Sequence, residues 1–361
     1  MVCLVGGGGL KVAMISPYGP AWIGGISRFT MFLSEKLRTL GIGVEVFVNE
    51  GGSGNLTIGL PGPKLVFAFR VVVQLQHYRP TVLHAHGHWH TLLPGVVYKL
   101  FHRQVKLVFT VHTPPRETSR IATWILKKLM LRCDVVTAVS WDIVRWLSYL
   151  RHEGVRVVKV SPGGTILPGG YDESRRDLVL QDSSFIATFV GPLHWPDKVA
   201  GVKLLAQSFQ HFAKIVPESK LFVVGGGPYL DEVRKFVADL SVGSHIVLVG
   251  EVRDPGRYVH ACDVYVHVSY MEGLPLAVLD AMLAAKAIIA SSVGDVPQLV
   301  RSGESGILVA NDEEEIVAAL SAMRADPAAR ERFGKAGRDR VLNGFTWDKV
   351  AKDFLDCYGG S

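Results

Sequence analysis

The strongest constraint on this chain is an alternation between short apolar runs rich in β-branched residues and longer segments of helical periodicity. In the first half the apolar runs are KVAMIS, VEVFV, TVLHAH, KLVFT and DVVTAVS. Repetition of strand, helix and strand predicts a parallel sheet with helices on both faces. The first half of the chain is therefore predicted to be a doubly wound α/β domain.

A segment rich in Gly, Pro, Ser and charge, residues 161–184, interrupts the alternation and predicts an inter-domain linker. The alternation then resumes in FIATFVG, KLFVVGGG, HIVLVG, DVYVHVS, AIIASS and SGILV. A length of 361 residues also exceeds the usual size of one hydrophobic core. We predict an α/β fold of two facing doubly wound Rossmann-like domains with a cleft between them. The domains are residues 1–165 and 166–345, followed by a C-terminal helix in residues 346–361.

Composition restricts the class of protein. The chain is 48% hydrophobic and 20% charged, and no apolar run approaches the roughly 18 residues that span a bilayer. Its start, MVCLVGGGGLKVAMIS, lacks a basic region followed by a small-residue cleavage site. Cys3, Cys133, Cys262 and Cys357 are scattered without metal-ligand spacing, which suits reduced thiols. We predict a soluble, cytoplasmic protein.

A net charge of +6 favours anionic partners, and phosphorylated substrates, anionic lipid and nucleic acid all qualify. The sequence shows no stripe of basic residues interleaved with aromatic ones. Nucleic acid is therefore not expected as a partner.

Ligands of open α/β sheets bind beyond the carboxyl ends of the strands, so residues just after each predicted strand are candidates. Gly24 and Gly25 open a predicted helix that ends near Gly41, and free N–H groups at a helix start favour a phosphate. An ordinary glycine loop explains this pair equally well. The opening VGGGG, residues 5–9, precedes the first strand and is predicted to be a flexible extension.

Two further candidates follow strands in the second half. Gly225, Gly226 and Gly227 lie between a predicted strand and helix, but Leu230 prevents a complete dinucleotide fingerprint. The glycines predict either a close approach of backbone to a nucleotide or a plain turn. Lys198 begins a predicted helix, where it is either a solvated charge or a partner for phosphate.

The stretch SYMEGLPLAVLDAM places Glu272 before a predicted helix, with Pro275 in its first turn, and Asp280 within it. An acid that faces a packed interior is unfavourable unless something binds it. Eight positions separate the two acids, about two helical turns or roughly 12 Å, which is too far to share one proton or metal ion. They can instead contact two parts of an elongated ligand such as a sugar nucleotide, with its phosphates at the helix N-terminus.

Several stretches match motifs of one enzyme family across nearly the whole chain. They are the GGI loop, VHTPP with His112, RCDVVTAVS, VVGGGP and the long block VSYMEGLPLAVLDAMLAAKAIIASSVGDVPQLVRSGESGILV, which is the most specific. With them the chain resembles family-4 retaining glycosyltransferases of the GT-B fold. The C-terminal FTWDKVAKDFL resembles the helix that crosses back onto the first domain in that fold. The resemblance makes the first domain the acceptor side and the second the donor side.

The resemblance implies a retaining, metal-independent hexosyltransferase that acts on a UDP- or GDP-sugar and a hydroxyl acceptor, lipid-linked or glycan. It implies no cofactor besides the nucleotide-diphosphate sugar itself. In this family the acceptor hydroxyl attacks from the side that the diphosphate leaves, and the leaving oxygens help to take its proton. Cations and helix dipoles neutralise the departing charge.

The resemblance also assigns roles to single residues. Glu272 would contact the donor sugar and stabilise charge at the reacting carbon, and His112 would lie beside that sugar. Lys198 would bind the diphosphate and Asp280 the ribose hydroxyls. Backbone amides of Gly24, Gly25, Gly273 and Leu274 would contact the diphosphate, and Gly226 and Gly227 remain candidates from their place between a strand and a helix.

Two positions depart from the family pattern. The family usually has glutamate where this chain has Asp280, which shortens the reach of the carboxylate by one methylene. It usually has arginine where this chain has Pro192, so one cation of the expected diphosphate clamp is missing. Either another residue replaces that cation or donor binding is weaker, and Arg28 and His194 are nearby in sequence.

The run HAHGHWH places His84, His86, His88 and His90 at alternating positions. No acid or cysteine follows at a spacing suited to zinc, so no metal site is predicted. We instead predict that His84 and His86 end a strand, with His86 near the acceptor side of the cleft.

The segment SRIATWILKKLMLRC has Lys127, Lys128 and Arg132 beside an apolar stripe. The pattern favours a packed helix with a solvated basic face. The alternative is a surface that rests on anionic membrane, which would suit a lipid-linked acceptor and a peripheral location on the inner face of the membrane.

Two other functions are compatible with the residues. Pro192 and Asp280 would suit a non-catalytic sugar-nucleotide-binding partner or regulatory protein, and a sugar-nucleotide epimerase would keep the fold. The presence together of Glu272, Lys198 and the glycine pair favours the transferase. The sugar, the base and the acceptor are not identified, because contacts to the base are expected from backbone in residues 250–253.

Overall fold

The computed structural model describes residues 9–22, 24–54, 56–113, 120–181, 183–241 and 243–359. The chain divides into two compact units, of which the second is Gly163–Thr346. The first unit extends to Pro162 and takes in the chain from Trp347 onward. Within these ranges no helix is long and apolar enough to cross a membrane. The predictions for Cys3 and for residues 5–8 fall outside the described residues.

The first unit is built on a parallel sheet of seven strands. These are β1 Lys11–Tyr18, β2 Gly43–Glu50, β3 Thr57–Gly59, β4 Val82–His86, β5 Lys106–Val111, β6 Val135–Ala138 and β7 Arg156–Lys159. Their order in the sheet is β3-β2-β1-β4-β5-β6-β7. The sequence does not predict β3 and β7, which are the short strands TIG and RVVK.

Among the described residues, the helices that connect these strands are α1 Gly25–Thr39, α2 Lys64–Tyr78, α3 Trp89–Phe101, α4 Arg120–Met130, α5 Trp141–Trp146 and α6 Ser148–His152. Helix α1 illustrates how the sequence forms them. Phe29, Leu33 and Leu37 recur every four residues and are fully buried against the sheet. The helix ends where Gly41 takes a positive φ of 80° and the N–H of Ile42 donates to the Leu37 carbonyl, which is a Schellman motif.

The second unit holds a parallel sheet of six strands. These are β8 Phe185–Val190, β9 Ser219–Val224, β10 Ile246–Gly250, β11 Val264–His267, β12 Ala287–Ser291 and β13 Gly306–Val309. Their order is β10-β9-β8-β11-β12-β13, and all six lie in the predicted apolar runs. Its helices are α7 Tyr171–Asp177, α8 Pro196–Ile215, α9 Leu230–Ala238, α10 Gly256–Ala261, α11 Leu276–Leu283, α12 Val296–Leu299, α13 Glu313–Ala325 and α14 Pro327–Gly344, with a short 3₁₀ turn at Gly243–His245.

The prediction that residues 161–184 form only a linker is wrong. They contain α7, which is held in the second unit by the buried side chain of Arg175. Its guanidinium donates to the carbonyl oxygens of Gln181 and Ser184, at 2.6 and 2.9 Å, and faces Asp263. Polar contacts rather than an apolar stripe fix this helix, so hydrophobic periodicity could not reveal it.

The final helix, α15 Trp347–Tyr358, belongs to the first unit. The rings of Trp347 and Phe354 pack edge-on against Phe29 of α1, at centroid distances of 5.5 and 5.9 Å. The Tyr358 hydroxyl lies 2.7 Å from Nδ1 of His84 in the middle of β4, whereas the sequence predicts that His84 and His86 end this strand. The chain thus returns to its first unit at its end.

Candidate functional site

Two candidate residues of the second unit, Lys198 and Glu272, lie where its strand order reverses, between β8 and β11. Lys198 is in the first turn of α8, which follows β8, and Glu272 is in the loop that follows β11. Parallel strands that are neighbours end at the same edge of a sheet, and ligands of such sheets bind at this reversal point. The fold therefore brings together two residues that are 74 positions apart in the sequence.

Lys198 and Glu272 form an ion pair, with each side chain 12% exposed. His267, the last residue of β11, is the third member of this cluster. Its Nε2 lies 2.8 Å from Oε1 of Glu272 and 3.3 Å from Nζ of Lys198. We call Lys198, Glu272 and His267 the triad.

The triad controls the protonation of its own members. Burial alone would raise the pKa of Glu272, but Lys198 and His267 outweigh it and hold that pKa well below its usual range. Burial and the Lys198 cation lower the pKa of His267, and Glu272 only partly opposes them. At neutral pH the site therefore contains an ionised carboxylate beside a cation and a neutral imidazole.

Gly201 allows α8 to approach the loop after β11, and Gly191 lies beside the side chain of Lys198. A Cβ atom at Gly201 would lie 2.3 Å from the carbonyl oxygen of Val268, so only glycine lets the helix backbone pack there. A Cβ at Gly191 would lie 2.9 Å from the ring of Phe189 and 3.8 Å from Cδ of Lys198. Close backbone packing at Gly201 thus helps to fix α8, which carries Lys198.

The loop that contains Glu272 is held by the segment after β12. Gly294 has a positive φ of 54°, and a Cβ there would lie 2.1 Å from the carbonyl oxygen of Glu272. The N–H of Asp295 donates to the carbonyl of Gly273 at 3.0 Å. The hydroxyl of Ser291 accepts the N–H of Ser269 at 3.1 Å, which fixes the start of the same loop.

Gly273 and Leu274 lie between this loop and α11, whose N-cap is Pro275. Helix α11 begins at Leu276, so Pro275 lies one residue before the helix and not in its first turn as predicted. Leu274 is 7% exposed and belongs to the core, so only its backbone could meet a ligand. Asp280 lies inside α11, is 2% exposed and accepts the N–H of Thr165 at 2.8 Å. This hydrogen bond gives one oxygen of the buried carboxylate a partner within the protein.

The three glycines after β9 interlock with the loop after β8. A Cβ at Gly225 would lie 1.9 Å from the Gly191 carbonyl oxygen, and one at Gly227 would lie 2.5 Å from that of Leu193. The N–H of Leu193 donates to the Gly226 carbonyl at 2.7 Å. Packing between loops is therefore sufficient to explain why Gly225 and Gly227 are glycine.

The two basic residues considered as replacements for the missing arginine, His194 and Arg28, lie in different units. Pro192 is exposed in the loop after β8, and His194 lies beside Gly227, with its Nδ1 2.9 Å from the place of a Cβ there. Arg28 is in α1 of the first unit, with its guanidinium over the ring of Phe32 at 5.8 Å.

In the first unit the strand order reverses between β1 and β4. Gly24 caps α1 in an extended conformation and Gly25 is its first residue. A Cβ at Gly25 would meet no described atom within 4 Å. No packing requirement of the described residues explains this glycine, in contrast to Gly225 and Gly227.

His86 ends β4 and His112 follows β5, as the sequence predicts for the ends of neighbouring strands. Nδ1 of His86 lies 3.2 Å from Nε2 of His112, and Phe29 packs edge-on against His112 at 5.0 Å. Burial lowers the pKa of His112 to about 3, with a contribution from His88, and burial also lowers the pKa of His86 well below its usual value. Both imidazoles are neutral at physiological pH.

His84 is held on both sides of its ring. Its Nδ1 meets the Tyr358 hydroxyl and its Nε2 meets Oγ1 of Thr110, both at 2.7 Å, and Thr110 continues to Thr137 at 2.7 Å. Because these contacts use both ring nitrogens, His84 has a structural role in the first unit. Burial, with a smaller effect of His112, lowers its pKa well below the usual value.

Sequence reasoning missed His267, Gly201 and Gly294. His267 ends a buried strand, so the search after strands that identified Glu272 could also have found it. Gly201 and Gly294 leave no such signal, because a glycine required by a carbonyl oxygen from a distant segment looks like any other glycine in a sequence.

Two family models match this chain. The model described as Glycosyltransferase Family 4 matches residues 23–163, and the model described as Glycosyl transferases group 1 matches residues 171–340. The alpha-maltose-1-phosphate synthase of Mycolicibacterium smegmatis is 27% identical over 97% of this chain and 99% of its own length.

Two solved structures share the fold. Sucrose-phosphate synthase from Thermosynechococcus elongatus is 22% identical, with a TM-score of 0.81 over 97% of this chain and 98% of its own. Anabaena HepE, solved in complex with UDP and glucose, is 17% identical, with a TM-score of 0.82 over 98% of this chain and 100% of its own.

Proposed function

We propose a reaction for this chain, which belongs to the glycosyltransferases of the GT-B fold. The protein moves a sugar from a UDP- or GDP-sugar to a hydroxyl acceptor, with retention of configuration at the anomeric carbon and without a metal ion. The observation that carries the proposal is the triad, a buried cation and an ionised carboxylate held together where the strand order reverses. A diphosphate suits the cation, and sugar hydroxyls suit the carboxylate.

In the proposed reaction the bond between the anomeric carbon and the diphosphate oxygen breaks, and a bond from that carbon to the acceptor oxygen forms on the same face. The acceptor proton passes to the departing diphosphate. Lys198 neutralises the leaving charge, and Glu272 stabilises positive charge at the anomeric carbon. His112 is assigned to a place beside the donor sugar, where its neutral imidazole can donate or accept a hydrogen bond.

Backbone amides of Gly24, Gly25, Gly273 and Leu274 are assigned to the diphosphate. The space around Gly25 supports its part in this assignment. Gly227 packs against Leu193, and a Cβ at Gly226 would lie 2.8 Å from Cβ of Glu251, so these two are the weaker candidates. Asp280 is assigned to the ribose, and that contact would use a carboxylate already bonded to the N–H of Thr165.

A UDP-sugar is the first donor to test, because the related HepE structure was solved with UDP and glucose. The experiment is a thermal-shift screen against UDP, GDP, ADP and their common sugar conjugates. A ligand that binds only the native state raises its stability by about 2.7 kcal/mol at a hundredfold excess over Kd. A chain that binds none of them would contradict the proposed donor class.

Replacement of the two carboxylates should separate their roles. Glu272→Gln keeps the shape but removes the charge near the reacting carbon, so turnover should fall about a hundredfold if the lost stabilisation is about 3 kcal/mol. Asp280→Asn should weaken binding of the bare nucleoside diphosphate and leave the rate at saturating donor much closer to wild type. Steady-state kinetics and calorimetry measure both effects. Full turnover by Glu272→Gln would remove Glu272 from the catalytic role.

Three further assays test the reaction class. Nuclear magnetic resonance of the product gives the configuration at the anomeric carbon, which should match that of the donor. Chelation with EDTA should leave the rate unchanged if no metal ion takes part. Slow hydrolysis of the preferred donor without an acceptor distinguishes an enzyme from a protein that only binds the sugar nucleotide.

We further propose that the first unit makes peripheral contact with anionic membrane through α4. The apolar stripe of α4 is not fully packed, since Ile121 and Trp124 are 73% and 61% exposed beside Lys127 and Lys128. Helix α2 likewise exposes Phe69, at 70%. No Asp or Glu occurs in the sequence between Glu50 and Glu117, which favours an anionic surface as partner.

Sedimentation with vesicles tests this contact. The protein should bind vesicles that contain phosphatidylglycerol more strongly than neutral ones, and added salt should weaken the binding. Trp124→Ser should reduce binding without change in the nucleotide affinity. Equal sedimentation with neutral and anionic vesicles would contradict the proposed contact.

A further inference from the structure

His267 occupies a position that the proposed reaction leaves without a role. Its Nε2 approaches Oε1 of Glu272 at 2.8 Å and Nζ of Lys198 at 3.3 Å. One ring nitrogen cannot donate a proton to the carboxylate and also accept one from the ammonium. The shorter distance is to the carboxylate, so the proton belongs on Nε2.

The other ring nitrogen supports the same tautomer. Nδ1 of His267 is buried and has no hydrogen-bond partner among the residues that the structure describes. A buried N–H without a partner is more costly than a buried lone pair, and a second proton would add an uncompensated charge. The ring stacks on Phe189 at 5.5 Å and on Tyr265 at 6.2 Å, with interplanar angles of 18° and 15°. His267 is thus a fixed, neutral donor directed at Glu272.

Lys198 cannot serve Glu272 and a donor diphosphate equally well. When its ammonium turns toward the phosphates, the carboxylate loses its cation while it remains largely buried. An ionised carboxylate in that position needs another donor. The nearest one is Nε2–H of His267, which is attached to a strand end and does not have to move.

We infer that His267 is a positioning residue, which holds Glu272 in its orientation toward the donor sugar when Lys198 binds the diphosphate. The inference rests on the proposed function of the triad. Lys198 and His267 both contact Oε1, so Oε2 is the oxygen turned to a sugar hydroxyl. Without His267, Glu272 would swing to other donors and lose that orientation.

A matched pair of substitutions tests the inference. In His267→Gln the amide nitrogen can reach the place of Nε2, whereas in His267→Asn it reaches only the place of Nδ1. His267→Asn should lower turnover by about tenfold to a hundredfold, the range for loss of a hydrogen bond to a charged group, and leave the Kd for UDP or GDP nearly unchanged. His267→Gln should keep most of the wild-type rate. Equal losses in both variants, or no loss in either, would overturn the inference.

A second measurement does not depend on activity or on folding of the variants. Nuclear magnetic resonance of wild-type protein labelled with ¹⁵N at histidine reports which ring nitrogen carries the proton. His267 should be neutral and protonated at Nε2 at pH 7. The Nδ1–H tautomer would overturn the inference and leave the transferase proposal intact. The protein could instead show the expected tautomer and turn over none of the UDP-, GDP- or ADP-sugars. In that case His267 would still donate to Glu272, but the proposed transferase reaction, and with it the positioning role, would be overturned.

Discussion

Lys198 and Glu272 contribute both to the stability of the folded protein and to the proposed reaction. Each needs the other while the donor site is unoccupied, because a lone charge at this depth is unfavourable. The same pairing holds the carboxylate ionised and the ammonium near the reversal point of the sheet. A donor that binds Lys198 therefore competes with a contact of the folded protein.

Loss of the cation should reveal this dependence. Lys198→Met leaves Glu272 largely buried with His267 as its remaining triad partner, and breaking a buried pair costs about 3–5 kcal/mol. Lys203→Met is the matched control, since Lys203 pairs with Glu232 at the surface of the second unit, where such pairs contribute at most about 1 kcal/mol. Urea unfolding at pH 7 compares the two. Equal stability of both variants would mean that the Lys198–Glu272 pair contributes no more than a surface pair.

At the scale of elements, helix α8 brings Lys198 to Glu272 through a backbone contact that requires glycine. Gly201→Ala should push the helix away from the Val268 carbonyl, because the added methyl carbon would lie 2.3 Å from that oxygen. We expect a loss of unfolding free energy of about 2 kcal/mol or more, with weaker binding of nucleoside diphosphate. Denaturation and calorimetry measure both. A variant as stable as wild type would show that α8 can shift freely.

At the start of helix α1 we expect the opposite effect of a Gly→Ala substitution on stability. Gly25→Ala adds a methyl group where no described atom lies within 4 Å, at a helical position. Folding stability should stay level or rise by about 0.5 kcal/mol, because alanine suits a helix better than glycine does. Binding of nucleoside diphosphate should nevertheless weaken if the backbone there contacts the phosphates. Unchanged binding would exclude Gly25 from the donor site.

At the scale of the whole molecule, the net charge of +6 conceals a division between the units. Residues 1–162 contain 19 Lys and Arg against 7 Asp and Glu, and residues 347–361 contain 2 against 3, which gives +11 for the first unit. Residues 163–346 contain 18 against 23, which gives −5 for the second. An anionic surface would therefore attract the first unit more strongly than the second.

Buried histidines should make the whole protein sensitive to acid. The pKa of His112 is lowered to about 3 in the folded chain, whereas an unfolded histidine titrates near 6.5. Between these values the unfolded chain binds more protons, so stability is complete above about pH 6.5 and falls as the pH falls toward 3. The slope is about 1.4 kcal/mol per pH unit for each such histidine.

The comparison of wild type with His112→Gln checks this sign and size. Between pH 7 and pH 5 the variant should lose about 2 kcal/mol less unfolding free energy than wild type, because it lacks one titrating group. Urea unfolding at both pH values gives the two differences. Identical losses in the two proteins would mean that folded His112 titrates like an exposed histidine.

The sequence by itself determined the two α/β units and their strands, with the exception of β3 and β7. Hydrophobic periodicity records which residues of a strand or helix face a core, and this information is local. It also singled out Glu272 and Lys198 as candidates, since residues just after parallel strands gather at one edge of a sheet, and the family resemblance added His112. It could not reveal α7, because the polar contacts of Arg175 hold that helix.

Only the tertiary structure decided which of the candidate residues meet. His267 joins Lys198 and Glu272 because α8 packs backbone to backbone at Gly201 and the loop at Gly294 closes on Glu272. Packing between the loops after β8 and β9 explains Gly225 and Gly227 without a ligand, whereas no contact of the described residues explains Gly25. Such contacts depend on close approach between segments far apart in the chain, and neither periodicity nor residue type encodes that distance.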